Sequence, residues 1–279
     1  MAELRVGVDV GGTKGLLLAF QGAEVVAEAR FATGKTMRAA QLDEQIADFL
    51  ARLPSPPVAL GVAVPGIVDS LQRVEACDVL PDLDGWQLAI PGLRSTLLND
   101  TAAALLAARE DFEPNTTAAL VMVGTAIGAA FQLNGVVARG AKGWAGELGY
   151  IPVQLADGVQ PLDALAGGAA LLQRCGLPAA ELSARLALGD EQLRGMVEAA
   201  GRALGLGLAT LVNLLNPDLI VLGGGTLGYA GYVAAALQQA EVSSFPALWQ
   251  CCRVIVSPHG ERLVARGAAA AAAALAPKS

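Results

Sequence analysis

The chain has 279 residues, 54% of them hydrophobic and 16% charged, with a formal net charge of −7. That length supports one large domain or two medium ones with ample core, and the acidic balance, with no visible basic stretch, argues against a nucleic-acid partner. Alanine supplies much of the apolar content, and the most apolar tract, residues 268–276, falls well short of the roughly 20 residues of a bilayer span, so no membrane partner is expected. The opening "MAELRVGVDV" lacks a basic and apolar leader pattern, which makes a cytoplasmic location the expectation.

Val6, Val8 and Val10 alternate with Gly7 and Asp9 and predict a strand, and Gly15–Phe20 predicts a second. Gly11, Gly12, Thr13 and Lys14 lie between them. A Rossmann turn or P-loop would need a helix after the glycines. Here "QGAEVVAEARF" follows with another turn and another strand, so the motif reads as a strand–turn–strand hairpin. Taken alone it is either an ordinary glycine turn or a phosphate hairpin. Leu42, Ile46, Phe49, Leu50 and Leu53 predict a helix over residues 37–53. "PVALGVAVPGIVD" reads as a buried strand ending at Pro65-Gly66, and "LRSTLLND" as a strand entering a helix at Asn99-Asp100. The opening pattern then recurs about 115 residues later in "AALVMVGTAIGAAFQLNGVVARG", a strand–turn–strand–turn–strand run. Two such units predict an internally duplicated fold of two α/β lobes with a cleft between them. A helix over 191–215 ends at Asn216-Pro217, "LIVLGGGTLG" is a buried strand running into glycines, and residues 263–275 form a closing helix.

Cys77, Cys175, Cys251 and Cys252 show no CxxC spacing and read as free, mostly buried thiols. His259 is the only histidine, which leaves a serine–histidine triad or a His-rich metal site without support.

In combination and order, "DVGGTK" (9–14), "PGIVD" (65–69), "LND" (98–100), "NGVVARGAKGWAGELG" (134–149) and "IVLGGG" (220–225) resemble the sugar kinases of the actin-like ATPase superfamily, and more narrowly the ROK family of repressors and sugar kinases. ROK repressors carry an N-terminal winged-helix segment, and this chain begins at the first phosphate strand, which disfavours that branch. The resemblance implies an α/β fold of the two-lobed actin-like ATPase, ribonuclease-H-like duplicated type, with lobes at 1–115 plus 264–279 and at 116–263. It also implies ATP and Mg²⁺ as cofactors, a small-molecule sugar as partner, and a homodimer or homotetramer. Glycines let backbone N–H groups approach phosphate oxygens, so ATP is expected at Gly11, Gly12, Thr13, Lys14, Gly124, Thr125, Gly223, Gly224 and Gly225. Lys14 reads either as a phosphate neighbour or as a solvated side chain. Asp9 stands where the superfamily places a carboxylate near Mg²⁺, directly or through water, and because that ion keeps several waters one aspartate suffices. Asp100 is the implied general base, worth about 10²–10⁴-fold. Its local alternative, together with Asn99, is a helix cap, and the two roles are compatible. Gly66, Asn99, Glu147, Tyr150 and Asp163 are the implied sugar contacts.

The departures are informative. Tyr150 replaces the family histidine that contacts sugar and ligates zinc, and the family's Cys-x-Cys-Gly-x-x-Gly-Cys loop is missing from "IPVQLADGVQPLDALAGGAAL". Losing both together implies a chain without structural zinc. Asp163 replaces a glutamate, and Asp82 replaces an asparagine, exchanging a donor-and-acceptor for an acceptor. Ala126, Ala129 and Ala130 replace glycines of the second hairpin; an alanine at 126 weakens nucleotide binding if the family's glycine there is left-handed or phosphate packs against it, and the three cost little if the backbone is plain β. The expected activity is transfer of the ATP γ-phosphoryl group to the primary hydroxyl of a hexose: glucose, mannose, an N-acetylated hexosamine or another. The alternative is a degenerate member that binds sugar or nucleotide as a sensor without efficient catalysis.

Overall fold

The computed structural model describes residues 3–155 and 158–275. The chain groups into two units, the first Met1–Phe112, Ala141–Trp144 and Glu261–Ser279, the second Glu113–Gly140 and Ala145–Gly260.

In the first unit β1 (Leu4–Val10), β2 (Lys14–Gln21) and β3 (Glu24–Ala32) form an antiparallel meander. Helix α1 (Ala39–Ala51) follows, then β4 (Ala59–Val64), the short pair β5 (Ile67–Val68) and β6 (Val74–Ala76), β7 (Arg94–Asn99) and helix α2 (Asp100–Ala108). The five-stranded sheet has the order β3-β2-β1-β4-β7, with β1, β4 and β7 parallel. Val6, Val8 and Val10 pack with Leu60, Val62 and Val64 against Leu42, Ile46 and Phe49 of α1. Each such side chain contributes about 1.5–3 kcal/mol on burial.

The opposite face, with Leu16, Leu18 and Phe20, is covered by Ala265 and Ala269 of the C-terminal helix, Leu263–Ala273. That helix lies on bare backbone. A Cβ on Gly61 would stand 1.8 Å from the Ala268 carbonyl oxygen, and one on Gly7 1.8 Å from that of Ala265. The alanine-rich tail is therefore a close-packed strut against β1, β4 and α2 rather than a loosely apolar end. Gly61→Ala is expected to destabilise the fold by about 1–3 kcal/mol or more, because both clashing groups are backbone and neither can swing away. The midpoint of urea unfolding checks it.

The second unit repeats the plan. β8 (Ala118–Val123), β9 (Ile127–Leu133) and β10 (Val136–Ala138) form the meander, and β13 (Leu219–Gly223) and β14 (Arg253–Val256) add in parallel, giving the order β10-β9-β8-β13-β14. Between them come the hairpin β11 (Pro152–Leu155) and β12 (Gly158–Pro161), in the stretch where the cysteine loop is missing, and helices α3 (Leu162–Ala166), α4 (Gly168–Cys175), α5 (Ala179–Ala187) and α6 (Glu191–Leu215). Helices α7 (Tyr232–Ser243) and α8 (Pro246–Cys251) follow β13. The Asp190 side chain caps α6 by accepting from the Leu193 N–H, and Asn216 ends it in the left-handed region at φ 44°.

One observation bears on the expected lack of a membrane partner, and the expectation of mostly buried thiols is corrected. Helix α6 is long and apolar enough to cross a membrane by length and composition, which the alanine tail is not; 56% of its most apolar window is buried, with Val197, Leu204, Leu208 and Val212 in the core of the second unit. Of the four free thiols only Cys77 is buried; Cys175 and Cys252 are half-buried and Cys251 is exposed, since the last two close the short surface helix α8.

Candidate active site

Asp9 lies near the end of β1, paired with Leu16 on one side and Ala63 on the other. Its carboxyl pKa is pushed up to about 7, first by burial, then by the negative charge of Asp100, with Glu261 adding and Lys14 opposing. The β1 and α2 carboxylates are thus brought within electrostatic reach although 90 residues of chain separate them.

Asp100 opens α2, and its Oδ1 accepts from the Thr101 N–H at 2.7 Å. The cap itself is Asn99: its Oδ1 accepts from the N–H groups of Thr101 (2.9 Å) and Ala102 (3.3 Å) and from the Thr101 hydroxyl (2.5 Å). Asn99 Nδ2 donates to the Gly66 carbonyl at 3.0 Å, so Gly66, Asn99 and the α2 terminus form one bonded chain. The Asn99 amide oxygen is committed to the helix, which leaves its second N–H as the group with capacity for a ligand. Asp82 Oδ2 accepts from the Ala39 N–H at 2.8 Å and so caps α1.

The first hairpin turn is closed by Gly11 N–H donating to the Lys14 carbonyl (3.0 Å) and braced by Thr33, whose hydroxyl donates to Gly11 O (2.6 Å) and whose N–H donates to Thr13 O (3.2 Å). Thr13 and Lys14 are exposed. Lys14 pairs with Glu261, whose other oxygen accepts from Arg30 at 2.7 Å; these two cations, Lys14 foremost, hold the Glu261 carboxyl below its ordinary range. Of the two readings of Lys14, the structure adds a third, an exposed ion pair.

In the second unit the hairpin carbonyls turn toward a helix. Gly124 O accepts from the Gly168 N–H (2.9 Å) and Thr125 O from the Ala169 N–H (3.0 Å), satisfying the first amides of α4. Gly124 O also accepts from the buried Thr226 hydroxyl at 3.0 Å, and the Ile127 N–H donates to Asp163 Oδ1 at 2.7 Å. Asp163 therefore holds the hairpin. Ala126, Ala129 and Ala130 all lie outside the positive-φ region, so their Cβ atoms strain no left-handed backbone. Gly224, at φ 105°, follows Gly223 at the end of β13, and its Cβ would meet Val123 O at 2.3 Å; Gly225 opens a short 3₁₀ turn. Glu147 and Tyr150 are exposed, at either end of the turn around Leu148.

Sequence reading missed Thr33, Val79 and Glu261, which reach the first hairpin from distant chain positions with no motif to mark them. Thr226 was within view, in the glycine run it closes. Thr226→Val is expected to remove one hydrogen bond, about 1 kcal/mol of stability, and to raise the KM for ATP more than that for the acceptor; thermal melting and two-substrate kinetics check both parts.

Among the described residues no group of three or more His, Cys, Asp or Glu side chains could hold a metal. The zinc of the family's cysteine loop does not fit the residues present: the β11–β12 stretch has no cysteine, and the exposed Tyr150 is a poor zinc ligand. Mg²⁺ fits, because Asp9 and Asp100 offer hard oxygen donors and a like-charge repulsion that a cation relieves.

Two five-stranded sheets with one shared order define a duplicated α/β fold of the actin-like ATPase type. The ROK family model matches residues 5–275, and the chain belongs to the ROK family. The kanosamine kinase of Amycolatopsis mediterranei (strain S699) is 28% identical over 247 residues, 79% of this chain and 80% of that protein. The ROK hexokinase of Thermus thermophilus is 27% identical with a TM-score of 0.73, covering 95% of this chain and 96% of its own. A ROK glucokinase from Streptomyces griseus, solved with glucose and AMPPNP, has a TM-score of 0.82 at 20% identity, covering 96% and 98%.

Proposed function

We propose that the chain is an ATP-dependent hexose kinase that transfers the γ-phosphoryl group to a primary hydroxyl. The observation that carries this reading is the Asp9–Asp100 carboxylate pair beside the first hairpin, in a member of a family whose similar proteins above are sugar kinases. Asp100 accepts the proton of the attacking hydroxyl; its carboxylate is oriented by the Thr101 N–H and carried by a helix that Asn99 caps. Asn99 and Gly66 align the acceptor end in the first unit, with Glu147 and Tyr150 as sugar contacts in the second. Glycine turns at Gly11–Gly12 and Gly124, with Thr13, Thr125 and Gly223–Gly225, take the nucleotide. Asp163 supports this end through Ile127, so its contribution to sugar binding is smaller than the resemblance implies. Lys14 leaves Glu261 to meet phosphate. Mg²⁺, when bound, neutralises phosphate charge and is held by Asp9, directly or through water, while positioning supplies much of the remaining rate.

ATP consumption with Mg²⁺ against glucose, mannose, N-acetylglucosamine, N-acetylmannosamine and kanosamine tests the reading. Acceptor-dependent turnover supports it. Measurable sugar binding with no turnover on any acceptor would replace it with a sensor.

A further inference from the structure

The turn after β6 touches both ends of the proposed site within the first unit. Val79 Cγ1 stands 2.5 Å from where a Gly12 Cβ would be, so Val79 fills the space beside the first hairpin. Two residues earlier, the buried Cys77 donates its Sγ–H to the Pro65 carbonyl (3.4 Å) and accepts from the Leu80 N–H (3.4 Å). A Cβ on Gly66 would come within 3.0 Å of Cys77 Cβ. From Gly66 the bonded chain continues through Asn99 to the start of α2.

The turn itself is fixed from behind. Asp84 Oδ1 accepts from the Cys77 N–H at 2.7 Å, and Leu80 and Leu83 are fully buried. Asp82 ties the same segment to α1. A rigid piece of chain thus abuts the hairpin at Gly12 and the acceptor loop at Pro65-Gly66.

We propose that the Cys77–Val79 turn is a positioning strut, Val79 setting the nucleotide hairpin through Gly12 and Cys77 setting the acceptor loop through Pro65-Gly66. The proposal rests on the kinase reading. It also gives Gly12 a reason beyond phosphate: its missing Cβ makes room for Val79.

The variants separate the two ends. Val79→Ala is expected to raise the KM for ATP roughly tenfold with little change for the acceptor, since a small misplacement costs rate steeply. Cys77→Ala does the reverse, and Cys77→Ser, which keeps a donor toward Pro65 O, recovers most of the loss. Gly12→Ala lowers the melting temperature, and adding Val79→Ala to it restores most of the drop, the signature of two residues sharing one space. Unchanged KM values in Val79→Ala and Cys77→Ala, a rise in both KM values together in either, or no rescue in the double variant would overturn the strut. A wild-type chain with no turnover on any acceptor contradicts the kinase reading instead and removes these roles with it; the melting cycle reads the Gly12–Val79 contact independently of activity.

Discussion

Asp100→Asn is expected to lower kcat by about 10²–10⁴ while leaving the fold and the KM for ATP close to wild type. Asparagine keeps an oxygen that can accept from the Thr101 N–H and leaves the Asn99 cap in place, so the α2 terminus survives. What it loses is the ability to take the hydroxyl proton. A second readout accompanies the first. The charge of Asp100 is the second cause of the raised Asp9 pKa, so the variant should bring Asp9 back toward the usual carboxylate range. Carbonyl-edited NMR titration of Asp9 reads this directly. Undiminished turnover in Asp100→Asn would reduce Asp100 to part of a helix terminus.

Asp9→Asn should separate activity from stability. In the metal-free chain the folded Asp9 pKa is about 7 against an ordinary 3.8. Between those values the folded state holds a proton that the unfolded state has released, so stability falls as pH rises from about 4 to about 7 and the full penalty applies above 7. Asparagine removes that penalty. The variant is expected to be more stable than wild type at pH 8, by roughly 1–3 kcal/mol, and equal to it below pH 4. Mg²⁺ should raise the wild-type melting temperature at pH 8 and raise that of Asp9→Asn far less. Activity should fall in the variant despite its stability. Melting curves across pH, with and without Mg²⁺, and steady-state rates give all three results; a less stable variant at pH 8 would contradict the raised Asp9 pKa.

The fold was legible because the hydrophobic period changes where the elements change. Val6, Val8 and Val10 announce β1, the 191–215 stripe announces α6, and the hairpin repeat anticipates two sheets of one strand order. The hairpin β11–β12, the helices α7 and α8 and the edge strand β14 lack so clean a signature. The alanine tail was readable as a helix but not as a strut, because nothing local tells Gly7 or Gly61 that a helix backbone rests on it. The site divides in the same way. Short motifs pointed to Asp9, Asn99, Asp100 and the glycine turns. Their supports are long-range: Thr33 under Gly11, Val79 beside Gly12, Asp163 on Ile127 and Glu261 on Lys14 each join positions that only folding brings together. Asp82 illustrates the limit of motif reasoning, since a residue expected to matter for its lost donor is occupied with capping α1.

The most direct test of the central claim is ³¹P NMR of wild-type protein incubated with Mg²⁺, ATP and each hexose in turn. The account predicts loss of the γ-phosphate signal and growth of a phosphomonoester coupled to the protons of the sugar's primary carbon, absent with Asp100→Asn. An unchanged ATP spectrum with every sugar, in protein that still binds one of them, would contradict it.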